Sequence, residues 1–361
     1  MKIEIMEIPR YVIAGQNATE QMPQVFSNAK IGKKGLIITG KNKTRKIAEN
    51  KVIPNLKGVT DVEICKITHK VNYNILNDIF EEVKNQKFDF VVSVGGGSII
   101  DAGKVISSWI NVPFISYPTS PAHDGISSPA ISFLLREEIK KHNRERAKVI
   151  RSPLMIIADA DIIANAPYRL FAAGFGDMIA KFTAVMDWRL AQRLRNEDYS
   201  EYAAAMSLMS AKIVYKNRKI IAGGGVAAAR ILIKALIGSG VSMSIAGSSR
   251  PASGAEHLFS HAIDLLSQKY EFKPALHGEQ CGVGAIVSAY LHGLNWKKIQ
   301  KALREVRAPT NAKELGIKSE YIIEALTIAH TIRKNRYTIL GDRGINRDAA
   351  EAALRATEII D

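Results

Sequence analysis

The chain has 361 residues, with 47% apolar and 24% charged side chains. That is ordinary globular composition, which excludes a disordered or collagen-like chain, and two cysteines, Cys65 and Cys281, exclude a disulfide framework. The net charge of +15 is spread along the chain, +6 over residues 1–165 and +9 over residues 166–361, with no basic tail, finger spacing or RNA-recognition signature. The charge reads as a solvated basic surface that attracts small anionic ligands, and no nucleic-acid partner is expected. No apolar run reaches the length that spans a bilayer: Ile231–Gly247 is broken by Lys234, Gly238 and Gly240. The N-terminus alternates polar and apolar residues and does not read as a signal peptide, so a soluble cytoplasmic protein, not integral to a membrane, is expected.

In chain order, strands are expected at Lys2–Ile8, Gly35–Thr39, Asp61–Ile67, Phe88–Val94 and Pro113–Tyr117. Two further apolar runs, Ala130–Leu135 and Leu154–Ala158, read as extra strands. Between them lie amphipathic stretches. One starts at Asn72 and sets Ile75, Leu76, Ile79, Phe80 and Val83 at helical spacing. The alternation argues for a parallel sheet with helices on both faces. Tyr117–Pro129 is rich in Pro, Ser and Gly and reads as a loop. After about residue 165 the strand rhythm stops. Helices are expected at 170–194, 201–215, 226–237, 255–267, 278–291, 296–306, 320–332 and 347–360. The reading is an α/β domain over 1–165 and an all-α domain over 166–361, around one cleft. The length is about twice the ~150-residue prior for one domain.

Three segments carry chemistry. The apolar strand ending at Val94 runs into Gly95-Gly96-Gly97-Ser98 and then Ile99-Ile100-Asp101 with Lys104. A glycine turn feeding a helix lets backbone N–H groups approach a pyrophosphate. It matches neither the Gly-x-Gly-x-x-Gly fingerprint nor a P-loop, and a tight connection would look the same. Asp101 and Lys104 are one turn apart, either as a site pair or as solvated charges. Further on, His257 and His261 stand at i, i+4, with His277 and Asp177 elsewhere in the chain. An Asp with two His is a catalytic zinc donor set by type. Surface histidines can share that spacing, and Glu256, Asp264 and Glu279 are competing carboxylates. His69, His142, His292 and His330 read as structural or surface residues.

Taken together, Gly95–Asp101 with Lys104, Pro118–Pro129, Gly174–Asp177, Ser248–His257 through His261 and His277-Gly278-Glu279 resemble one family. It is that of the sn-glycerol-1-phosphate dehydrogenases, within the superfamily of iron-dependent alcohol dehydrogenases, glycerol dehydrogenases and dehydroquinate synthases. The resemblance implies a dehydroquinate synthase-like, glycerol dehydrogenase-like fold: an N-terminal dinucleotide-binding α/β domain, an all-α C-terminal domain, and the active site in the interdomain cleft. The implied reaction is reversible reduction of dihydroxyacetone phosphate to sn-glycerol 1-phosphate with NAD(H) or NADP(H), supplying the backbone of archaeal ether phospholipids. By the same resemblance Gly96, Gly97, Ser98, Ile99, Ile100, Asp101, Thr119, Ser120, Pro121, Ala122 and Ser128 hold the cofactor. Asp177, His257 and His277 hold one Zn²⁺ per subunit. Asp124, Asp177 and His261 touch substrate and are the catalytic candidates, and a homo-oligomer is expected. Arg250 and Lys181 are candidates for the substrate phosphate by position. Lys41 and Lys43 hint at NADPH. The alternatives are a glycerol dehydrogenase acting on unphosphorylated polyol, a dehydroquinate synthase-like lyase, and a non-catalytic binding protein.

Overall fold

The computed structural model describes residues 6–67, 69–147 and 150–361. The chain divides into two units, Met1–Ala166 with Gly225–Ser244, and Pro167–Gly224 with Ile245–Asp361. The division expected at residue 165 made no provision for Gly225–Ser244. That segment belongs to the helix Gly225–Ala246, which is tied to the first unit through Ser127 Oγ, donating to the carbonyls of Leu236 and Ile237 at 3.1 and 3.3 Å. At 22 residues this helix is long and apolar enough to cross a membrane, contrary to the sequence expectation, yet 61% of its apolar window is buried within the protein.

The first unit is built on a six-stranded parallel sheet: β1 (Tyr11–Gly15), β2 (Lys34–Gly40), β3 (Asp61–Ile67), β4 (Phe90–Gly95), β5 (Phe114–Pro118) and β6 (Met155–Asp159), in the order β1-β6-β5-β4-β2-β3. Parallel strands are covered on both faces, which is why their sequences are almost continuously apolar. Alternate residues supply two cores. Leu36, Ile38 and Val91 face one with Leu76 and Ile100, while Ile37, Phe90, Val92 and Val94 face the other with Phe26 and Val52. The helix α1 (Tyr73–Val83) buries Leu76, Ile79 and Val83, and the Asn72 side chain caps it by accepting from Ile75 N at 3.0 Å. Next come α2 (Gly97–Trp109) and α3 (Phe133–His142).

Two strand expectations change. Residues 2–5 lie outside the described residues and 6–8 form no strand; the edge strand is Tyr11–Gly15, paired with β6. Ala130–Leu135 is not a strand either. Its second half opens α3, because the helix-forming run Arg136–Lys141 follows and carries Phe133, Leu135 and Ile139 to the core.

The described residues of the second unit form no strand. The single helix expected over 170–194 is two, α4 (Tyr168–Ile179) and α5 (Lys181–Arg195), which meet at Ala180. Further along are α6 (Ala255–Lys269) and α7 (His277–Leu291). The helices α4 and α7 pack at glycines. A Cβ on Gly176 would lie 2.2 Å from the Gly278 carbonyl oxygen, and one on Gly278 would lie 1.9 Å from that of Ala173. No other residue type permits so close a backbone approach.

Candidate functional site

In the first unit the chain reverses its direction across the sheet between β2 and β4. The crevice at the carboxyl ends of strands beside such a reversal is where open α/β sheets bind ligands. Two turns occupy it, Gly40–Thr44 after β2 and Gly95–Gly97 after β4. They are close: a Cβ on Gly40 would lie 3.8 Å from Ile99 Cδ1. Lys41 and Lys43 are exposed there. Gly96 is the cap residue of α2, so the positive end of that helix begins at the turn. A Cβ on Gly97 would fall 2.0 Å from His123 Nε2, and one on Gly96 would lie 3.5 Å from Ser120 Oγ. The 119–128 loop is thus packed directly on the glycine turn. The structure brings Gly95, Gly96 and Gly97 together with Thr119, Ser120 and His123.

Asp101 and Lys104 are buried, not solvated. Asp101 Oδ2 accepts from Ser132 N at 2.9 Å, and Lys104 Nζ lies 3.7 Å from Asp101 Oδ1. Lys104 also donates to the carbonyls of Gly125 and Ala130. Burial pulls the Lys104 pKa down, against Asp101 and Asp124, which hold it up. The pair clamps the 124–132 segment to α2. Asp124 is buried, and its Oδ2 accepts from Ser239 Oγ at 2.7 Å. Ser128 Oγ accepts from Ala130 N at 3.3 Å.

In the second unit the α4–α7 glycine contact places Asp177 and His277 on adjoining turns, and α6 contributes His257. His257 Nε2 is 3.5 Å from Asp177 Oδ1, and the rings of His257 and His277 are 5.0 Å apart. Donor atoms of His257, His277 and Cys281 all lie within 4.8 Å of one another. His261 is set back, its ring 5.7 Å from His277 and 6.3 Å from His257.

Both imidazoles are oriented from behind. His257 Nδ1 donates to Glu256 Oε1 at 2.9 Å, and Glu256 is itself held by Gly254 N at 2.6 Å and Thr183 Oγ1 at 2.7 Å. Ser260 Oγ donates to Gln280 Oε1 at 2.7 Å, so it takes the proton of His277 Nδ1 at 3.2 Å. In both rings Nε2 is left as the donor atom, the arrangement that metal-ligating histidines adopt. The electrostatics agree. Burial would raise the Asp177 carboxyl, but the Lys181 ammonium, then His257 and His277, hold it well below its usual range. Burial would lower His257, but the Cys281 sulfur with Asp177 and Glu256 holds it well above. Burial also pushes the Cys281 thiol up, so near neutral pH the two carboxylates are the anions at His257. A buried cluster of carboxylate, imidazole and thiol groups that stabilises positive charge this strongly fits a divalent metal ion.

The competing carboxylates are otherwise engaged. Glu279 takes a two-pronged bond from Arg169 at 2.6 Å, and Asp264 lies 4.0 Å from His261 Nδ1. Arg250 is also committed: its fork grips Glu197, and it donates to the Tyr337 carbonyl at 2.8 Å. Lys181 is bound to Asp177 at 2.7 Å. Neither of the two cations singled out for the substrate phosphate therefore has the free fork or head that the role needs. Sequence reasoning missed Cys281, although His277 and Cys281 repeat the i, i+4 spacing of His257 and His261. It also missed Glu256 as the partner of His257. His292, read as structural or surface, is structural: it bonds the buried Asp187 at 2.9 Å.

Comparison with known proteins adds independent findings. Residues 13–167 match the iron-containing alcohol dehydrogenase family. The glycerol-1-phosphate dehydrogenase, NAD(P)⁺-dependent, of Thermococcus sibiricus is 51% identical over 100% of this chain and 99% of its own. That of Pyrococcus horikoshii is 49% identical over 99% of this chain and 100% of its own. Among solved structures, a probable glycerol dehydrogenase from Sinorhizobium meliloti superposes with a TM-score of 0.76 at 17% identity, covering 99% of this chain and 98% of that one. At that identity it speaks for the fold alone.

Proposed function

The chain belongs to the family of NAD(P)-dependent glycerol-1-phosphate dehydrogenases, and from that premise we propose that it interconverts dihydroxyacetone phosphate and sn-glycerol 1-phosphate. The observation that carries this reading is the full-length relationship at 51% identity, in a chain that also assembles Asp177, His257 and His277.

When bound, a nicotinamide would supply hydride and a Zn²⁺ held by Asp177, His257 and His277 would supply Lewis acidity toward the ketone. This chain's residues do the rest. Asp177, His257 and His277 hold the ion, and Glu256 and Ser260 keep the two imidazoles in the right tautomer. Burial, followed by Arg333, His277, His257 and Arg336, holds His261 well below its ordinary pKa, so it is a neutral imidazole. A neutral ring can hand its N–H proton to the C2 oxygen and regain a proton from solvent. Asp124, oriented by Ser239, is the candidate in the first unit for a substrate hydroxyl. The Gly96–Asp101 turn and residues 119–122 with Ser128 hold the dinucleotide, whose pyrophosphate suits the N-terminus of α2. Exposed Lys41 and Lys43 suit the 2′-phosphate of NADP(H), so either cofactor is accepted. We place the enzyme in the cytoplasm as a homo-oligomer, feeding archaeal ether-lipid synthesis.

The test follows nicotinamide absorbance with dihydroxyacetone phosphate and with dihydroxyacetone, each with and without a chelator. Chelator-sensitive oxidation of NAD(P)H with the phosphorylated ketone, giving the sn-1 product, is expected. Turnover of dihydroxyacetone alone would move the chain to the glycerol dehydrogenases and remove the reading.

A further inference from the structure

The reaction needs a site for a phosphate dianion, and the two cations that position suggested are engaged with Asp177 and Glu197. A different pair is placed for it. Arg333 Nη1 and Arg336 Nη2 donate to the same hydroxyl, Ser249 Oγ, at 3.1 and 3.0 Å. Two guanidinium groups that converge on one neutral oxygen repel each other, and in a protein interior that repulsion is not screened as it is in water. The second bond of Arg336 goes to the Ser253 carbonyl, again a neutral oxygen. Burial, then the charges of Arg333 and Arg250, push Arg336 well below the usual arginine range, with Glu197 and Glu256 as partial compensation. Because a guanidinium does not give up its proton, this shift is an electrostatic cost carried by the cation.

A second observation lies at the same place. Ser253 is 4% exposed, and its Oγ is a buried hydroxyl with no hydrogen-bond partner among the described residues. Native proteins rarely leave such a group unsatisfied. Ser253 directly precedes Gly254, the cap residue of α6, whose first turns carry His257 and His261. The positive end of that helix therefore adds to the two arginines. Arg336 holds the carbonyl of Ser253, and the next residue, Gly254, donates its N–H to the Glu256 carboxylate behind His257, so the cluster adjoins the metal donors. Arg333 and Arg336 are half-buried, which leaves them accessible to a ligand.

We propose that Arg333 and Arg336, with the hydroxyls of Ser249 and Ser253, form the binding site for the phosphate group of the triose substrate, and that they set the preference for phosphorylated over unphosphorylated ketone. This rests on the dehydrogenase reading above. A phosphate monoester has the acceptors that two forks and two hydroxyls require, and it neutralises the repulsion between the guanidinium groups. It also gives the orphan Ser253 hydroxyl an acceptor.

The experiment uses the metal-loaded, full-length enzyme with saturating NAD(P)H. The readout is the ratio of kcat/KM for dihydroxyacetone phosphate to that for dihydroxyacetone, together with the KM for NAD(P)H. Arg336→Gln is expected to lower that ratio by about 100-fold, with Arg336→Lys recovering part of it, because a point charge replaces a fork only partly. Arg333→Gln and Ser253→Ala are expected to lower it by about tenfold each, the loss of one hydrogen bond to a charged group. Added phosphite dianion should stimulate dihydroxyacetone reduction by the parent enzyme more than by Arg336→Gln. Equal losses on both ketones would overturn the proposal in favour of a structural role. A rise in the KM for NAD(P)H with the ratio unchanged would overturn it by assigning the cluster to a cofactor phosphate. If Arg336→Gln fails to fold, an unchanged ratio in both Arg333→Gln and Ser253→Ala overturns it. A parent enzyme that ignores dihydroxyacetone phosphate would instead defeat the underlying reading, and the proposal with it.

Discussion

Lys181 Nζ donates to Asp177 Oδ1 at 2.7 Å with both side chains completely buried, one turn apart on α5 and α4. In the metal-free protein this ammonium is the nearest full countercharge to a carboxylate that the site must keep ionised. Breaking a buried ion pair by removing one partner typically costs about 3–5 kcal/mol. Lys181→Met should therefore destabilise the chelator-treated protein by about that amount, and clearly less once zinc supplies the missing charge. Urea unfolding with and without zinc measures both. Equal destabilisation in the two forms would show that Lys181 supports the fold alone.

Asp177→Ala and His277→Ala should lose bound zinc and nearly all turnover, as read by elemental analysis and a nicotinamide assay. Glu256→Gln keeps the donors but weakens the hold on His257 Nδ1, so zinc affinity should fall about 10–100-fold in a chelator competition. Cys281→Ala should retain one zinc if Asp177, His257 and His277 are the three donors. Zinc loss in Cys281→Ala would make the sulfur a ligand and reassign the donor set.

Gly97→Ala puts a methyl group 2.0 Å from His123 Nε2. Overpacking of this kind costs about 1–3 kcal/mol. Displacing the 119–128 loop from the turn should raise the KM for NAD(P)H about tenfold, the equivalent of ~1.4 kcal/mol. Adding His123→Ala makes room and should restore much of the affinity. A double variant no better than Gly97→Ala would locate the damage in the backbone of the turn itself.

Asp89 accepts from the backbone N–H groups of Lys33 and Lys34 at 2.7 and 2.9 Å, and those bonds lower its pKa. A depressed carboxylate stabilises the fold above its unfolded-state pKa, and the contribution disappears as pH falls through the folded value. Because Asp89 is largely solvated, the effect should be small, about 1 kcal/mol. Asp89→Asn should lower stability near neutral pH and flatten the stability curve on the acid side, as measured by urea titrations. An unchanged acid limb would exclude Asp89 as a contributor.

Much of the first unit was legible in the sequence. Asp61–Ile67 is a strand end to end, and Asn72 caps the helix that its spacing announced. Such features depend on local periodicity and caps, which a chain carries wherever it folds. The Ala130–Leu135 run was misread because a short apolar stretch satisfies both helix and strand. The break at Ala180 was hidden because none of Ile179, Ala180 and Lys181 is a helix breaker.

Local pattern alone carried the sheet-then-helix order and the glycine turn at 95–97, and it named two of the three residues, His257 and His277, whose donor atoms cluster with Cys281. Which residues meet depends on the packing of distant segments. Asp177 and His277 are about a hundred positions apart and come together because Gly176 and Gly278 let two helix backbones touch. Arg250 and Lys181 looked available in the chain and are bound to Glu197 and Asp177 in the fold, whereas Arg333 and Arg336 carried no motif and converge on one serine. Periodicity reports which face of an element is buried. Which other face it is buried against is settled by packing between distant segments, and there the sequence is silent.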